Sequence, residues 1–359
     1  MKRNYGIDFL RIISMFMVAV LHVLAQGGIL RNAEPQTLKY WVAWLLEIAS
    51  YCAVNCFALI SGYVMYRTEH KVSRLLKLWL QTVFYTGLSL VFFCFFMPDV
   101  VGKRTILNAI FPITSTQYWY ISAYFGMLIL VPLFNMVIHH AEKKVFGTAL
   151  LTAFAAFCIL PVVFQSNPYR LDSGYSLIWL SLLYLAGGYI HKYDVISKIK
   201  TSYAWYTALA MLAISFLTKF VIEQFLHGVS FLQAYNNAFI SFTSPTIVLI
   251  AVGLLIICCK LNFKPRSGRA IGFLSSAALG VYLSHVNPLV WTHLIRDFAV
   301  SFLDYNCFSM VCLIILSAFL IFAAGIVIDL VRIKLFDLLG IHKLCTFLDT
   351  KSAKIQDKV

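Results

Sequence analysis

The chain has 359 residues, of which 61% are hydrophobic and only 12% are charged, and its mean hydropathy is +0.82. A water-soluble fold of this size needs a polar surface, and 29 basic and 15 acidic residues beside 30 Phe and 19 Tyr cannot supply one. The composition therefore excludes a soluble protein and predicts an all-α bundle that crosses the lipid bilayer several times. In such a protein the net charge of +14 is typical of cytosolic loops, so we expect no nucleic-acid partner.

The nine cysteines lie mostly within apolar runs and lack the spacing of metal ligands. We interpret them as small buried hydrophobic side chains. The sequence thus gives no reason to expect a metal site or a bound cofactor.

Ten stretches are apolar over about 20 residues each, which is the length that a membrane-spanning helix needs. In chain order the predicted spans cover residues 9–28, 41–66, 75–97, 118–138, 145–164, 175–193, 203–222, 238–259, 273–295 and 307–331. Residues 332–359 are predicted to form a tail, and the whole chain is predicted to be one domain. The longest outer connection, 98–117, has apolar residues at helical spacing and fits either an interfacial helix or a plain loop.

Basic residues fall unevenly on the two sides of this layout. Of the 29 Lys and Arg residues, 20 lie on the side of both termini and six on the opposite side, and Arg11, Lys77 and Lys219 lie inside spans. Because cytosolic loops carry the excess of basic residues, both termini are predicted to be cytosolic. The protein is predicted to reside in the cell membrane as a multi-pass protein.

Ionisable residues inside a span are expensive and usually face a cavity or a partner, so they indicate where function resides. The first span carries Arg11 near its cytosolic end and His22 eleven positions later. Eleven residues make about three helical turns, so both side chains project from one face about 16 Å apart. Taken alone, Arg11 also fits a side chain that snorkels to the interface, and His22 also fits a hydrogen-bonded histidine within the bundle.

Two further groups are predicted at similar depth. The second span places Glu47 near the level of His22, and the ninth brings His285 to about the midplane just before Asn287-Pro288. Two imidazoles and a carboxylate can then line one pocket. Alternatively, Glu47 pairs with a neighbouring helix or is protonated, and His285 only satisfies carbonyls freed by the proline.

Three other polar positions have structural interpretations. Lys219 is predicted to snorkel from the end of the seventh span, and Asp329 to pair with Arg332 near the end of the tenth. Ser61-Gly62 favours close helix packing, although the hydroxyls of Ser61 and Tyr63 are also candidates for binding substrate near the depth of Arg11.

Several motifs together resemble the acyltransferase-3 family of integral-membrane O-acyltransferases. These are Asp8-x-Leu10-Arg11 with His22 eleven residues after the arginine, the segment from Phe57 to Ser61-Gly62-Tyr63, Tyr118-Trp119-Tyr120-Ile121, Tyr184-Leu-Ala-Gly187-Gly188-Tyr189, and Leu279-Gly-Val-Tyr282-Leu-Ser-His285. The motifs are spread over most of the chain, whereas Asn55-Cys56 departs from the family pattern.

The resemblance implies a transferase that moves an acyl group, usually acetyl from acetyl-CoA, to a hydroxyl of a glycan or glycolipid. On that reading His22 is the predicted general base, Glu47 orients it, and His285 serves the acceptor or relays a proton. Arg11 is predicted to hold the phosphates of acyl-CoA, and Trp119 joins Ser61 and Tyr63 as a candidate for substrate binding.

A different class, a transporter or flippase for a glycan or a lipid-linked sugar, also fits many spans with charges inside them and a proline-interrupted helix. Against this alternative stand the missing internal repeat and the family resemblance. The sequence leaves open whether the acyl group crosses on a covalent intermediate or passes directly from donor to acceptor.

Overall fold

The computed structural model describes residues 3–68, 71–167 and 169–356. Helices make up 79% of the protein, and these ranges contain no β-strand. The predicted all-α class is therefore confirmed.

The α-helices are, in chain order, α1 (Tyr5–Ala25), α2 (Ile29–Asn32), α3 (Leu38–Ser50), α4 (Ala53–Met65), α5 (Ser73–Phe96), α6 (Lys103–Ile110), α7 (Trp119–His140), α8 (Lys143–Phe154), α9 (Leu160–Phe164), α10 (Leu177–Lys192), α11 (Val195–Lys198), α12 (Thr201–Phe225), α13 (Ser230–Gln233), α14 (Pro245–Cys259), α15 (Pro265–His285), α16 (Pro288–Val290), α17 (Cys307–Leu338) and α18 (Ile341–Gln356). Short 3₁₀ segments occur at Pro98–Val100, Asp172–Gly174 and Val300–Asp304, and π-helical segments at Ala155–Ile159 and Trp291–Ile295.

Seven helical segments of the described chain are long and apolar enough to cross a membrane, and a bent pair adds an eighth candidate. The bend measures 57° and separates α15 from the segment that begins at Pro288. It falls where Asn287-Pro288 predicts a break. The predicted spans at 175–193 and 238–259 correspond to the shorter helices α10 and α14, so the count of ten and the cytosolic termini stay predictions.

Several span limits differ from the sequence prediction. Helix α14 begins at Pro245 rather than at residue 238, because proline restrains the preceding residue, Ser244, to an extended backbone. Helix α15 begins at Pro265, ahead of the predicted residue 273, since the hydropathy pattern detects the apolar stretch and misses polar first turns.

The predicted tail is largely helical. Helix α17 continues past residue 331 to Leu338, and α18 follows after Gly340, whose φ of 68° ends the first helix. The backbone amide and Oγ of Ser73 both donate to Asp349, which attaches α18 to the start of α5. Residues 357–359 lie outside the described residues.

Close approach of α4 and α10 depends on glycine. A Cβ on Gly62 would lie 1.8 Å from the carbonyl oxygen of Tyr184, and one on Gly187 would lie 2.1 Å from that of Leu59. The packing interpretation of Ser61-Gly62 is confirmed, because only glycine permits this contact.

Two predictions about charged residues have different outcomes. The Asp329–Arg332 pair is confirmed, with Nη2 of the arginine 2.8 Å from the carboxylate. Lys219 does not reach the protein surface, since its ammonium is buried, lies 2.6 Å from Glu223 and sits over the ring of Trp44.

The outer connection contains α6, and the position of α6 at a membrane interface stays a prediction.

Helix α1 is the centre of the bundle. It packs against α3, α4, α14, α15 and α17, which surround it. Its N-terminus is capped by Asn4, whose side chain accepts a hydrogen bond from the amide of Gly6. A single uninterrupted helix therefore carries both Arg11 and His22.

Candidate active site

A cavity of about 940 Å³ lies beside α1. Arg11 lines one part of it and His22 another, so the face predicted to carry both residues does border one continuous space. The rest of the wall comes mainly from α3, α4, α7 and α15, together with the segment after Pro288.

His22 and His285 are in direct contact. Nδ1 of His22 lies 2.7 Å from Nε2 of His285, and Nδ1 of His285 lies 2.5 Å from the carbonyl oxygen of Val281. A carbonyl can only accept, so Nδ1 of a neutral His285 carries the proton and its Nε2 accepts from Nδ1–H of His22. This chain of hydrogen bonds leaves Nε2 of His22 as the nitrogen with a free lone pair.

The ring of His22 is also held from another side. Trp291 packs edge-on against it, with ring centroids 4.6 Å apart, and the backbone carbonyl of Trp291 accepts a hydrogen bond from Gln26. Pro288 has no N–H, so it cannot donate to the carbonyl of Ser284 four residues earlier. His285 contacts the carbonyl of Val281 instead, so it does not replace that lost hydrogen bond. His285 is thus placed to orient His22.

Glu47 lies at the cavity but does not take the position expected for it. It is buried, it lines the cavity, and its Oε2 has no hydrogen-bond partner within the described ranges. The side chain that contacts Nδ1 of His22 is His285 and not Glu47. Counting residues along the helix correctly predicts that Glu47 lines the same cavity as His22. It does not predict which side chain Glu47 contacts.

The other end of the cavity is basic. Asp8 accepts hydrogen bonds from Arg3 at 2.6 Å, from Arg11 at 3.1 Å and from Ser275 at 3.2 Å. Arg3, Arg11 and Ser275 all line the cavity. From the sequence, Arg3 is only one of the basic residues that indicate the cytosolic side. The spacing of Asp8 and Arg11, three residues apart in a helix, does predict an ion pair on one helix face.

The predicted substrate-binding residues on α4 separate. Ser61 lines the cavity, and its hydroxyl donates to the carbonyl of Phe57 at 2.8 Å. Tyr63 is not among the cavity-lining residues, because its ring stacks on His191 with centroids 4.2 Å apart. The structure therefore does not bring Tyr63 to the site.

Trp119 lines the cavity as part of an aromatic wall. Its ring lies 4.4 Å from that of Tyr175 and is stacked at 5.8 Å on Phe242. Tyr120 and Tyr124 form a second stacked pair on the same helix, with centroids 5.6 Å apart. Such rings offer flat apolar faces to a bound molecule.

Tyr282 is a cavity residue that the sequence identifies only through its motif. It lies one turn before His285 on α15, and its buried hydroxyl makes no hydrogen bond of normal geometry among the residues described. Nearby, the hydroxyl of Tyr118 donates to the carbonyl of Leu283 and accepts from Asn287. The two tyrosines thus differ in whether their hydroxyls are satisfied.

A family model described as an acyltransferase domain matches the chain over residues 4–330. No curated protein and no solved structure matches the chain. The matched range covers nearly all of the chain and includes every residue that we have placed at the cavity except Arg3. The resemblance seen in the motifs is confirmed, and the chain belongs to the acyltransferase-3 family of membrane acyltransferases.

Proposed function

We propose that the protein transfers an acyl group, with acetyl as the expected group, from acyl-CoA to a hydroxyl of an extracytoplasmic glycan or glycolipid. Family membership supports a membrane acyltransferase in general terms. The observation that carries the finer proposal is the Val281–His285–His22 chain of hydrogen bonds, which leaves a basic nitrogen in a cavity that also contains arginines.

The proposed reaction uses that nitrogen. Nε2 of His22 takes the proton of the acceptor hydroxyl as its oxygen attacks the thioester carbon. A C–O bond forms, the C–S bond breaks, and the imidazolium returns its proton to the departing thiolate. His285 keeps the ring in the tautomer that this step requires and stabilises the imidazolium by accepting from its Nδ1–H.

The donor is proposed to enter from the basic end. Arg11 binds the phosphates of acyl-CoA, and the pantetheine arm extends along α1 toward His22. The two residues are eleven positions apart on one helix, or about 16 Å, a distance that an extended pantetheine arm can cover. Continuity of the cavity between them favours direct transfer without a covalent intermediate.

The acceptor is proposed to lie against the aromatic wall that contains Trp119. Sugar rings stack on aromatic faces, and their hydroxyls need acceptors. Glu47 supplies a buried carboxylate oxygen with no hydrogen-bond partner in the described part of the chain, so we assign it to a second hydroxyl of the acceptor. The transporter alternative explains neither the oriented base nor the family to which the chain belongs.

The direct test uses purified protein with labelled acetyl-CoA and a panel of glycans. Appearance of label on a glycan supports the proposal, whereas uptake of an unmodified glycan into vesicles without use of acetyl-CoA supports a carrier. A sealed-vesicle version tests sidedness. With acetyl-CoA on the cytosolic side only, acceptor on the opposite side should be modified, and modification confined to the donor side would contradict transfer across the membrane.

A further inference from the structure

We infer that Arg3 and Arg11, held together by Asp8, form a clamp of two guanidinium groups that binds the phosphate groups of acyl-CoA. This inference rests on the proposed function and extends it, because it adds Arg3 as a binding residue and Asp8 as a positioning residue.

Asp8 connects the two arginines through different oxygens. Its Oδ2 accepts from Nε of Arg3 at 2.6 Å, and its Oδ1 accepts from Nη1 of Arg11 at 3.1 Å. Only 3% of the Asp8 side chain is exposed, and Ser275 on α15 donates to Oδ1 as well. A buried carboxylate with three donors is fixed, so it sets the distance between the two guanidinium groups.

The arginines retain most of their binding capacity. The Arg3 side chain is 56% exposed and that of Arg11 is 31% exposed, and both line the cavity. Each guanidinium has five N–H donors; within the described residues Arg3 uses one for Asp8 and one for the carbonyl of Gly272, and Arg11 uses one. Two cations and one anion leave a net charge of +1 with unused donors at the cavity.

Gly272 provides the space for Arg3. A Cβ at this position would lie 3.0 Å from Cζ and 3.0 Å from Nη2 of the arginine. The guanidinium therefore lies flat against the backbone of α15, where the Gly272 carbonyl accepts from Nη2 at 3.1 Å. Asp8 on α1 and Gly272 on α15 together hold the Arg3 guanidinium from two sides.

Phosphate is the ligand chemistry that this arrangement fits. Planar guanidinium groups bind phosphate oxygens in bidentate fashion, and two fixed groups suit a ligand with several phosphate oxygens close together. Coenzyme A carries a diphosphate and a 3′-phosphate at the end opposite its thiol. The clamp lies at the end of the cavity opposite His22, so the thioester is directed toward the base.

The test compares binding of coenzyme A with binding of pantetheine, which lacks all the phosphates, by calorimetry on the full-length protein in neutral detergent. We expect Arg3→Gln to raise the Kd of coenzyme A about 10-fold or more, the loss typical of a charge-assisted hydrogen bond, and to leave the Kd of pantetheine unchanged. Arg296→Gln is the matched control, since Arg296 is exposed and does not line the cavity, and it should alter neither value.

Two more variants keep the test decisive. Arg3→Lys retains the charge without the planar fork and should weaken coenzyme A binding by a smaller factor. Gly272→Ala displaces the guanidinium without removing it and should also weaken coenzyme A binding alone. If either variant binds coenzyme A like the wild type, or loses both ligands equally, the clamp is wrong, even where Arg3→Gln fails to fold.

Remaining outcomes separate this inference from the proposed function. Wild-type protein that binds coenzyme A tightly through Arg3 but transfers no acyl group would refute the function and leave the clamp standing. Wild-type protein that binds coenzyme A no better than pantetheine would refute the clamp. Phospholipid headgroups offer the same phosphate chemistry, so displacement of coenzyme A by added phosphatidylglycerol would show the arginines to be a lipid site and overturn the assignment.

Discussion

Two Asp-x-x-Arg segments lie within helices of this protein, and they do different things. Asp8 and Arg11 form an ion pair three residues apart on α1, and Asp329 and Arg332 form one with the same spacing on α17. The side chains of Asp329 and Arg332 are 0% and 7% exposed, whereas Arg11 opens onto the cavity. The sequences Asp-Phe-Leu-Arg and Asp-Leu-Val-Arg do not reveal this difference.

At the second pair the carboxylate is fully occupied and only 7% of the arginine side chain is exposed, at a smaller cavity of about 250 Å³. Asp329 accepts two hydrogen bonds from Arg332, one from the hydroxyl of Tyr85 at 2.8 Å and a longer one from Gln81. The Asp8 carboxylate is buried as well, but the side chains of its two arginine partners are partly exposed. Exposure of the cation, rather than burial of the carboxylate, therefore distinguishes an ion pair that can bind from one that only stabilises the fold.

The largest expected effect follows from breaking the buried Asp329–Arg332 pair. Asp329→Ala leaves the Arg332 charge buried without a partner, so we expect the free energy of unfolding to fall by about 3–5 kcal/mol. Asp8→Ala should cost clearly less, because water reaches the arginines that it releases. Denaturant unfolding of both variants in the same detergent measures the difference, and equal losses would remove the distinction between the two segments.

Removal of the proposed base should act on the reaction alone. His22→Ala is expected to lower kcat by about 10²–10⁴-fold, the usual contribution of general base catalysis. Binding of coenzyme A at the far end of the cavity and the unfolding transition should stay close to those of the wild type. Wild-type turnover by this variant would exclude His22 from the mechanism.

Much of this arrangement is predictable from the sequence because it depends on helical periodicity. Apolar runs locate the long apolar helices but miss α18, and eleven-residue spacing places Arg11 and His22 on one face of α1. Asn287-Pro288 predicts the break after α15, and the break appears there. These features depend on residues within one element, so local rules suffice.

Contacts between elements are less predictable. The His22–His285 hydrogen bond joins residues 263 positions apart, and the depth of each histidine says nothing about which ring nitrogen meets which partner. Tyr63 illustrates the same limit, since a rotation of α4 decides whether its ring meets the cavity or His191. Arg3 precedes the first helix, where no periodicity applies, and only the fold brings it to Asp8.

Replacing arginine by lysine in both Asp-x-x-Arg segments tests the same difference with a smaller expected effect. Arg11→Lys keeps the charge but loses the fork, so we expect the KM for acetyl-CoA to rise about 10-fold with little change in stability. Arg332→Lys loses a two-point contact, Nε to Oδ1 at 3.0 Å and Nη2 to Oδ2 at 2.8 Å, and should lower the free energy of unfolding instead. Unchanged kinetics in Arg11→Lys would return Arg11 to a purely topological role.

The smallest expected effect concerns two neighbouring tyrosines, which extend the same comparison to uncharged groups. Tyr118→Phe removes a hydroxyl that bonds to the Leu283 carbonyl and to Asn287, so we expect the free energy of unfolding to fall by about 1 kcal/mol. Tyr282→Phe removes a buried hydroxyl that makes no hydrogen bond of normal geometry in the described chain, so stability should stay the same or rise. Unfolding curves for the two variants measure this difference directly.

A loss of stability in Tyr282→Phe equal to that in Tyr118→Phe would mean that the Tyr282 hydroxyl does have a partner in the folded protein. Unchanged stability with a lower kcat would instead mean that its partner is the substrate.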